Sequence, residues 1–172
     1  MRLVKMKEKI RFLQLDDSFK QYDVVAAQQA SELMQQLARN RWNFPMILYF
    51  EAYGEKDEIL ATKSVQVQQV PSENKILTFS LKGIRRAELP AFMVQIEDVV
   101  ALNKVFQEFF YVAEQNHFFV LTNMPCIKYE GEHPTVQSLD AEIIMADYDG
   151  QGALLITNKS IHITGGFTCD SI

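Results

Sequence analysis

From Pro45 to Ile96 apolar side chains recur at every second position, and few folds accommodate that period. Met46, Leu48, Phe50 and Ala52 share one face of a strand that ends at Gly54-Glu55-Lys56-Asp57. Ile59, Ala61, Val65 and Val67 then alternate with Thr62, Ser64, Gln66 and Gln68, with Lys63 out of phase. Beyond the turn-forming Pro71-Ser72-Glu73-Asn74, Leu77, Phe79 and Leu81 mark a third strand, and Phe92, Val94 and Ile96 a fourth. Side chains of a strand point alternately to its two faces, so this pattern predicts short antiparallel strands closing into a small barrel or curled sheet.

The flanking segments add helices and further strands. Ala26, Ala30, Leu33, Met34 and Leu37 recur at helical spacing, with Asp23 as a suitable N-cap, Arg39 in the last turn and Asn40 as the stop. Val105, Phe106, Phe109, Phe110 and Ala113 form a broad apolar stripe, predicting a second helix over residues 104–116 closed by Asn116. Near the start, Lys5, Lys7, Lys9 and Arg11 alternate with Met6, Ile10 and Phe12, an edge-strand pattern broken by Glu8. Residues 117–121 read as a strand, 123–138 as a loop, and 142–145, 153–157 and 160–164 as a terminal meander. The expected core includes Leu33, Leu37, Leu48, Phe50, Val65, Val67, Phe79 and Ile96. The expected fold is therefore α+β: one compact antiparallel β-rich domain spanning residues 1–172, with about two helices. Within it, a barrel unit at 45–101 and a second β-rich unit at 117–166 are possible divisions. Glu51-Ala52-Tyr53-Gly54 with the run from Ile59 echoes residues 146–150 with the run from Leu154; chance similarity of two hairpins explains the echo better than duplication.

Composition narrows the function classes. With 172 residues, 48% of them hydrophobic, the chain can bury a substantial core. A net charge of -5 argues against a dedicated DNA-coating surface, which must neutralise phosphates. The longest apolar runs, residues 46–50 and 109–113, are too short to span a bilayer, and the charged start has no apolar signal core. The expectation is a soluble, cytoplasmic protein without membrane contact. Cys126 and Cys169 are read as reduced thiols, too few for a disulfide framework.

Over residues 30–101, a short helix, the strand Ile47-Leu48-Tyr49-Phe50, a basic-acidic turn, two more strands and the closing Gln95-Ile96-Glu97-Asp98-Val99-Val100 resemble YolD-like proteins. Those are small β-barrel proteins associated in bacteria with repair polymerases. The closing segment corresponds to the family's aromatic, two acids and two branched residues, with Ile96 in the aromatic's place. The glycine that usually opens the second strand is absent before Val65, and residues 102–172 have no counterpart. The resemblance implies a barrel and an association with a protein partner.

Motifs with chemistry are few. No glycine spacing suits a phosphate loop. His117, His133 and His162 lie on separate elements without paired-ligand spacing, and His162 reads as a solvent-facing strand residue. Cys126 and His133 share a loop, but nearness in sequence does not make a nucleophile–base pair. Asp147-Tyr148-Asp149-Gly150-Gln151-Gly152 resembles the first half of a calcium loop, making Asp147 and Asp149 weak metal candidates. Asn158 at the twelfth position cannot supply the bidentate carboxylate, so the segment reads as a hairpin turn in which Gly150 and Gly152 suit positive φ. Lys82-Gly83-Ile84-Arg85-Arg86 forms a basic spot read as a loop, with Trp42 and Tyr53 as prospective neighbours; Lys82, Arg85 and Arg86 are the candidate binding residues. By elimination, the expected function is a non-catalytic binding or regulatory protein acting through a protein partner, with no catalytic residue and no cofactor assigned. Homo-oligomerisation is an open possibility. The rivals are a small barrel that binds nucleic acid, and an enzyme whose site is dispersed along the chain.

Overall fold

The computed structural model describes residues 1–6, 10, 12–80, 83–115, 117–131, 133–161 and 168–170. Its elements run β1 (Arg2–Lys5), β2 (Lys20–Val25), α1 (Ala30–Arg41), β3 (Met46–Glu51), α2 (Lys56–Leu60), β4 (Val67–Val70), β5 (Lys75–Ser80), β6 (Gly83–Glu88) and β7 (Ala91–Ile96). They continue through α3 (Val99–Phe109), α4 (Tyr111–Glu114), β8 (Phe119–Thr122), β9 (Ile127–Lys128), β10 (Thr135–Val136), β11 (Glu142–Ala146), β12 (Ala153–Thr157) and β13 (Thr168–Asp170). Nine strands form one open sheet in the order β13-β1-β2-β12-β11-β8-β3-β7-β4. Its pairs are antiparallel except β1 with β13. The short β9 and β10 pair with each other, and β5 and β6 form a separate hairpin.

The centre of the sheet is apolar on both faces. β3 reads Met-Ile-Leu-Tyr-Phe-Glu and all six residues are buried, which is why its hydrophobic run is continuous. On one face Met46, Leu48 and Phe50 join Phe92, Val94 and Ile96 beneath α1 and α3. Phe50 stacks on Phe92 at 5.2 Å and on Phe109 of α3 at 5.0 Å. On the other face Ile47, Tyr49, Val120, Ile143 and Ile156 are covered by Leu13, Phe19, Cys126, Ile127 and Tyr129, which come from loops and the short β9.

One ionic cluster fixes α1 to the sheet. Glu142 on β11 is buried and accepts from Arg41 Nη2 at 2.6 Å, Trp42 Nε1 at 2.7 Å and Thr157 Oγ1 at 3.1 Å. Burial pushes this carboxyl up, but Arg41, Trp42 and Thr157 outweigh it and hold it below its ordinary value. The carboxylate is therefore kept ionised, and the C-terminal end of α1 is tied to β11 and β12.

Several expectations are corrected. The sheet is open, with no closed barrel among the described residues: residues 46–96 do supply five antiparallel strands, but β5 and β6 leave the sheet that β3, β4 and β7 share. The N-terminal strand is Arg2–Lys5, overlapping the predicted segment at Lys5, while residues 7–9 and 11 of that segment lie outside the described residues. Asp23 lies within β2 because Tyr22 and Val24 turn inward while the strand pairs β1 and β12. α1 starts later, at Ala30 with Gln29 in the N-cap position, and runs through Asn40 to Arg41. Residues 56–60 form a helical turn that buries Ile59, so the apparent alternation there is a helix followed by a loop. Residues 83–88 are a strand, not a loop. The second long helix begins at Val99, where Asp98 caps it by accepting from Ala101 N at 2.8 Å, and breaks at Phe110. The two echoing stretches differ, since one leads into α2 and the other joins β11 to β12. Residues 162–164 lie outside the described residues.

The predicted core is confirmed at Leu33, Leu37, Leu48, Phe50 and Ile96, while Val65 and Val67 are half-buried against it. Phe79 is 79% exposed, because its strand pairs only with β6. Phe50→Ala should therefore cost about 3–5 kcal/mol in denaturant unfolding. Phe79→Ala should stay within about 0.5 kcal/mol, the range of surface sites; a loss comparable to that of Phe50→Ala would place Phe79 in a packed environment.

Candidate functional site

The β5–β6 hairpin and the cavity at its root are the two features that the core does not explain. In an antiparallel pair, residues directly opposite share a face. Leu77 opposes Arg86, Phe79 opposes Ile84 and Lys75 opposes Glu88, so these six residues form one side of the hairpin. That side is exposed, with Leu77 at 55% and Ile84 at 65%. Ile76, Thr78 and Ala87 on the reverse side are half-buried. The period-two reading of β5 was right about its conformation. It misplaced the apolar residues because a strand's phase does not say which face is covered.

At the hairpin's root, Leu89 N donates to Asn74 O at 3.0 Å, closing the two arms. Beside this closure lies a cavity of about 440 Å³, within the range of small-molecule pockets. Its position follows from the topology. Glu51 ends β3, Phe118 precedes β8 and Asp147 follows β11, so three central strands present one end of the sheet here. His117, His133 and Lys75 also line it.

Glu51 is the unusual member. Only 6% exposed, it shares the inner face of Ile47 and Tyr49, and its one hydrogen-bond partner among the described residues is the Asn74 side-chain amide, which donates to Oε1. Asn74 is itself buried, and its Oδ1 has no hydrogen-bond partner. The nearby Tyr129 hydroxyl, fully buried, has none either. Burial pushes the Glu51 carboxyl up to about 7 against the hydrogen bond from Asn74. Burial likewise lowers His117 and favours the neutral imidazole, against the opposing pull of Glu55.

The residues singled out in the sequence divide differently. Lys82 and His162 lie outside the described residues. Arg85 and Arg86 both sit on β6, on opposite faces, so they do not form one basic surface. Trp42 is committed to Glu142 in the core and is no neighbour of the hairpin's exposed face. Cys126 is buried and its thiol is pushed up to about 11 by burial, which disfavours the thiolate a nucleophile needs. Asp147 and Asp149 flank a tight turn, where Asp147 N donates to Gly152 O and Gly150 N to Asp147 O. Positive φ occurs at Gly150, as expected, while Asp149 and not Gly152 supplies the other such position. Among the described residues no His, Cys, Asp and Glu side chains converge into a metal-binding group. No helix among the described residues is long and apolar enough to cross a membrane. Glu51 and Asn74 escaped the sequence reading. The available signal was the carboxylate that closes an otherwise apolar run in β3.

Glu51 links stability to pH. A carboxyl raised from 4.5 to about 7 leaves the folded protein holding a proton that the unfolded chain has released. Stability should therefore fall as pH rises between those values and level off above them. Glu51→Gln cannot ionise, so its stability relative to wild type should rise by about 2–3 kcal/mol from pH 5 to pH 8 in denaturant unfolding. A pH-independent difference would mean that the carboxyl is well solvated. Comparison with protein-family models, curated proteins and solved structures finds no match to the chain.

Proposed function

We propose that this chain is a non-catalytic binding protein whose β5–β6 hairpin docks onto a partner protein. One observation carries the reading: Leu77, Phe79 and Ile84 lie together on the exposed side of a two-stranded hairpin. Scattered apolar residues are normal on a surface, but a contiguous apolar side on a projecting element is a docking signature. An isolated hairpin is also marginally stable in water, and a partner covering this side would supply the burial it lacks.

The charges describe the partner. Lys75 and Arg86 flank the apolar residues on the same side, with Glu88 the acid opposite Lys75. An apolar groove with an acidic rim is the complementary surface. Nucleic acid fits less well, since Arg85 and Arg86 point to opposite sides and the phosphate contacts available on either are few. The YolD-like resemblance of residues 30–101, which implies association with a protein, accords with this reading.

A photo-crosslinking amino acid in place of Phe79, activated in the cell of origin, tests it. The expected result is a discrete protein adduct that Ile84→Asp abolishes without changing the melting temperature. A nuclease-sensitive adduct, or none, would contradict it.

A further inference from the structure

The cavity beside the hairpin root has a polar floor in which a buried carboxyl has a single donor, the Asn74 amide, and Asn74 Oδ1 has none among the described residues. Glu51 is a buried carboxylate, and no cation pairs with it among the described residues. Asn74 spends its amide N–H on Glu51, which leaves the carbonyl Oδ1 buried and unpartnered. A buried acceptor left empty costs free energy, more when the group is charged. The contrast with Glu142 is instructive: that carboxylate, equally buried, receives Arg41, Trp42 and Thr157. Glu51 lacks such a set, and it faces a space large enough for a ligand.

The walls define the rest of the ligand. Phe12, Phe118, Phe119 and Leu89 line the cavity, offering aromatic and aliphatic surface to a flat body. Phenyl faces also favour a cation over an anion. Asp147 adds a second carboxylate at the lining, and Asp23 lies close enough to Asp147 to be raised in part by its charge. Among the described residues, Lys75 is the one formally cationic side chain in the lining, and it is exposed at the hairpin.

We propose that this cavity binds a small organic cation, an amine, amidine or guanidine on a flat apolar body, whose N–H groups donate to the Glu51 carboxylate and Asn74 Oδ1. The site shares Lys75 with the hairpin's exposed side, but Leu77, Phe79 and Ile84 do not line it. It requires Glu51 ionised, so binding and deprotonation are linked. Among the described residues, the titratable groups that share the cavity lining with Glu51 are Lys75, His117, His133 and Asp147, and Tyr129 is coupled to it electrostatically. Of these, His117 is lowered by burial, and wherever it is charged it opposes a cation, in the same direction as protonation of Glu51.

Calorimetry or ligand-observed NMR with benzamidine, benzamide and benzoate tests the proposal. Benzamidine should bind saturably at pH 8, with neutral benzamide and anionic benzoate at least about tenfold weaker. Its affinity should drop about thirtyfold or more at pH 5.5, where a carboxyl titrating at about 7 is mostly protonated. Glu51→Gln, checked for an unchanged or raised melting temperature, should lose both the benzamidine preference and the pH dependence attributable to Glu51. Phe79→Asp should bind benzamidine as wild type does, which separates this site from the hairpin. Equal or tighter binding of benzoate, undiminished benzamidine binding by Glu51→Gln, or no saturable binding of benzamidine would each overturn it.

Discussion

The burial of β3 on both faces is the constraint on which the rest of the structure depends. An antiparallel sheet commonly leaves one face to water. Here Met46, Leu48 and Phe50 point to one side and Ile47 and Tyr49 to the other, and all are buried. The chain therefore has to supply two covers. It provides α1 and α3 for the first face, where Phe50, Phe106, Phe109, Phe110 and Phe119 make a set of aromatic contacts. For the second it provides the N-terminal segment around Leu13 and Phe19, and the segment around Cys126, Ile127 and Tyr129.

This unequal covering explains where polar groups meet the core. Under α1 the sheet admits one carboxylate, Glu142, and saturates it with an arginine, an indole N–H and a hydroxyl. Such a group is costly to break and contributes mainly by fixing the helix in one place. On the second face irregular segments close less completely, and a cavity opens at the end of β3 where Glu51 stands. Burial pushes both carboxyls up; Arg41, Trp42 and Thr157 outweigh it at Glu142, while at Glu51 the hydrogen bond from Asn74 does not. Shifted groups in a cleft are where function is most often sought, and here the geometry gives the shift its cause.

The architecture was legible in the sequence where a single period dominated. Leu33, Leu37 and Met34 marked the buried stripe of α1, and Phe92, Val94 and Ile96 the inward face of β7. It misled where a short helix imitated alternation, as at Ile59, and where a capping residue stood inside a strand, as Asp23 does. Phe79 shows a different limit. Its period was that of a strand, yet burial depends on which segments cover that strand, and this is a property of the whole topology. The cavity was illegible for the same reason: Glu51, Asn74, His117, His133 and Asp147 come from five separate stretches, and only the strand order brings them to one end of the sheet.

The central claim is that a sheet locked from both faces carries a hairpin whose exposed side none of the described residues covers. Native-state amide hydrogen exchange measures this contrast directly. The amides of Leu48 and Tyr49 should exchange only through global unfolding, while those of β5 and β6 should exchange orders of magnitude faster through local opening. Equal protection of the hairpin and β3 would contradict the account, because it would mean that the side bearing Leu77, Phe79 and Ile84 is already packed.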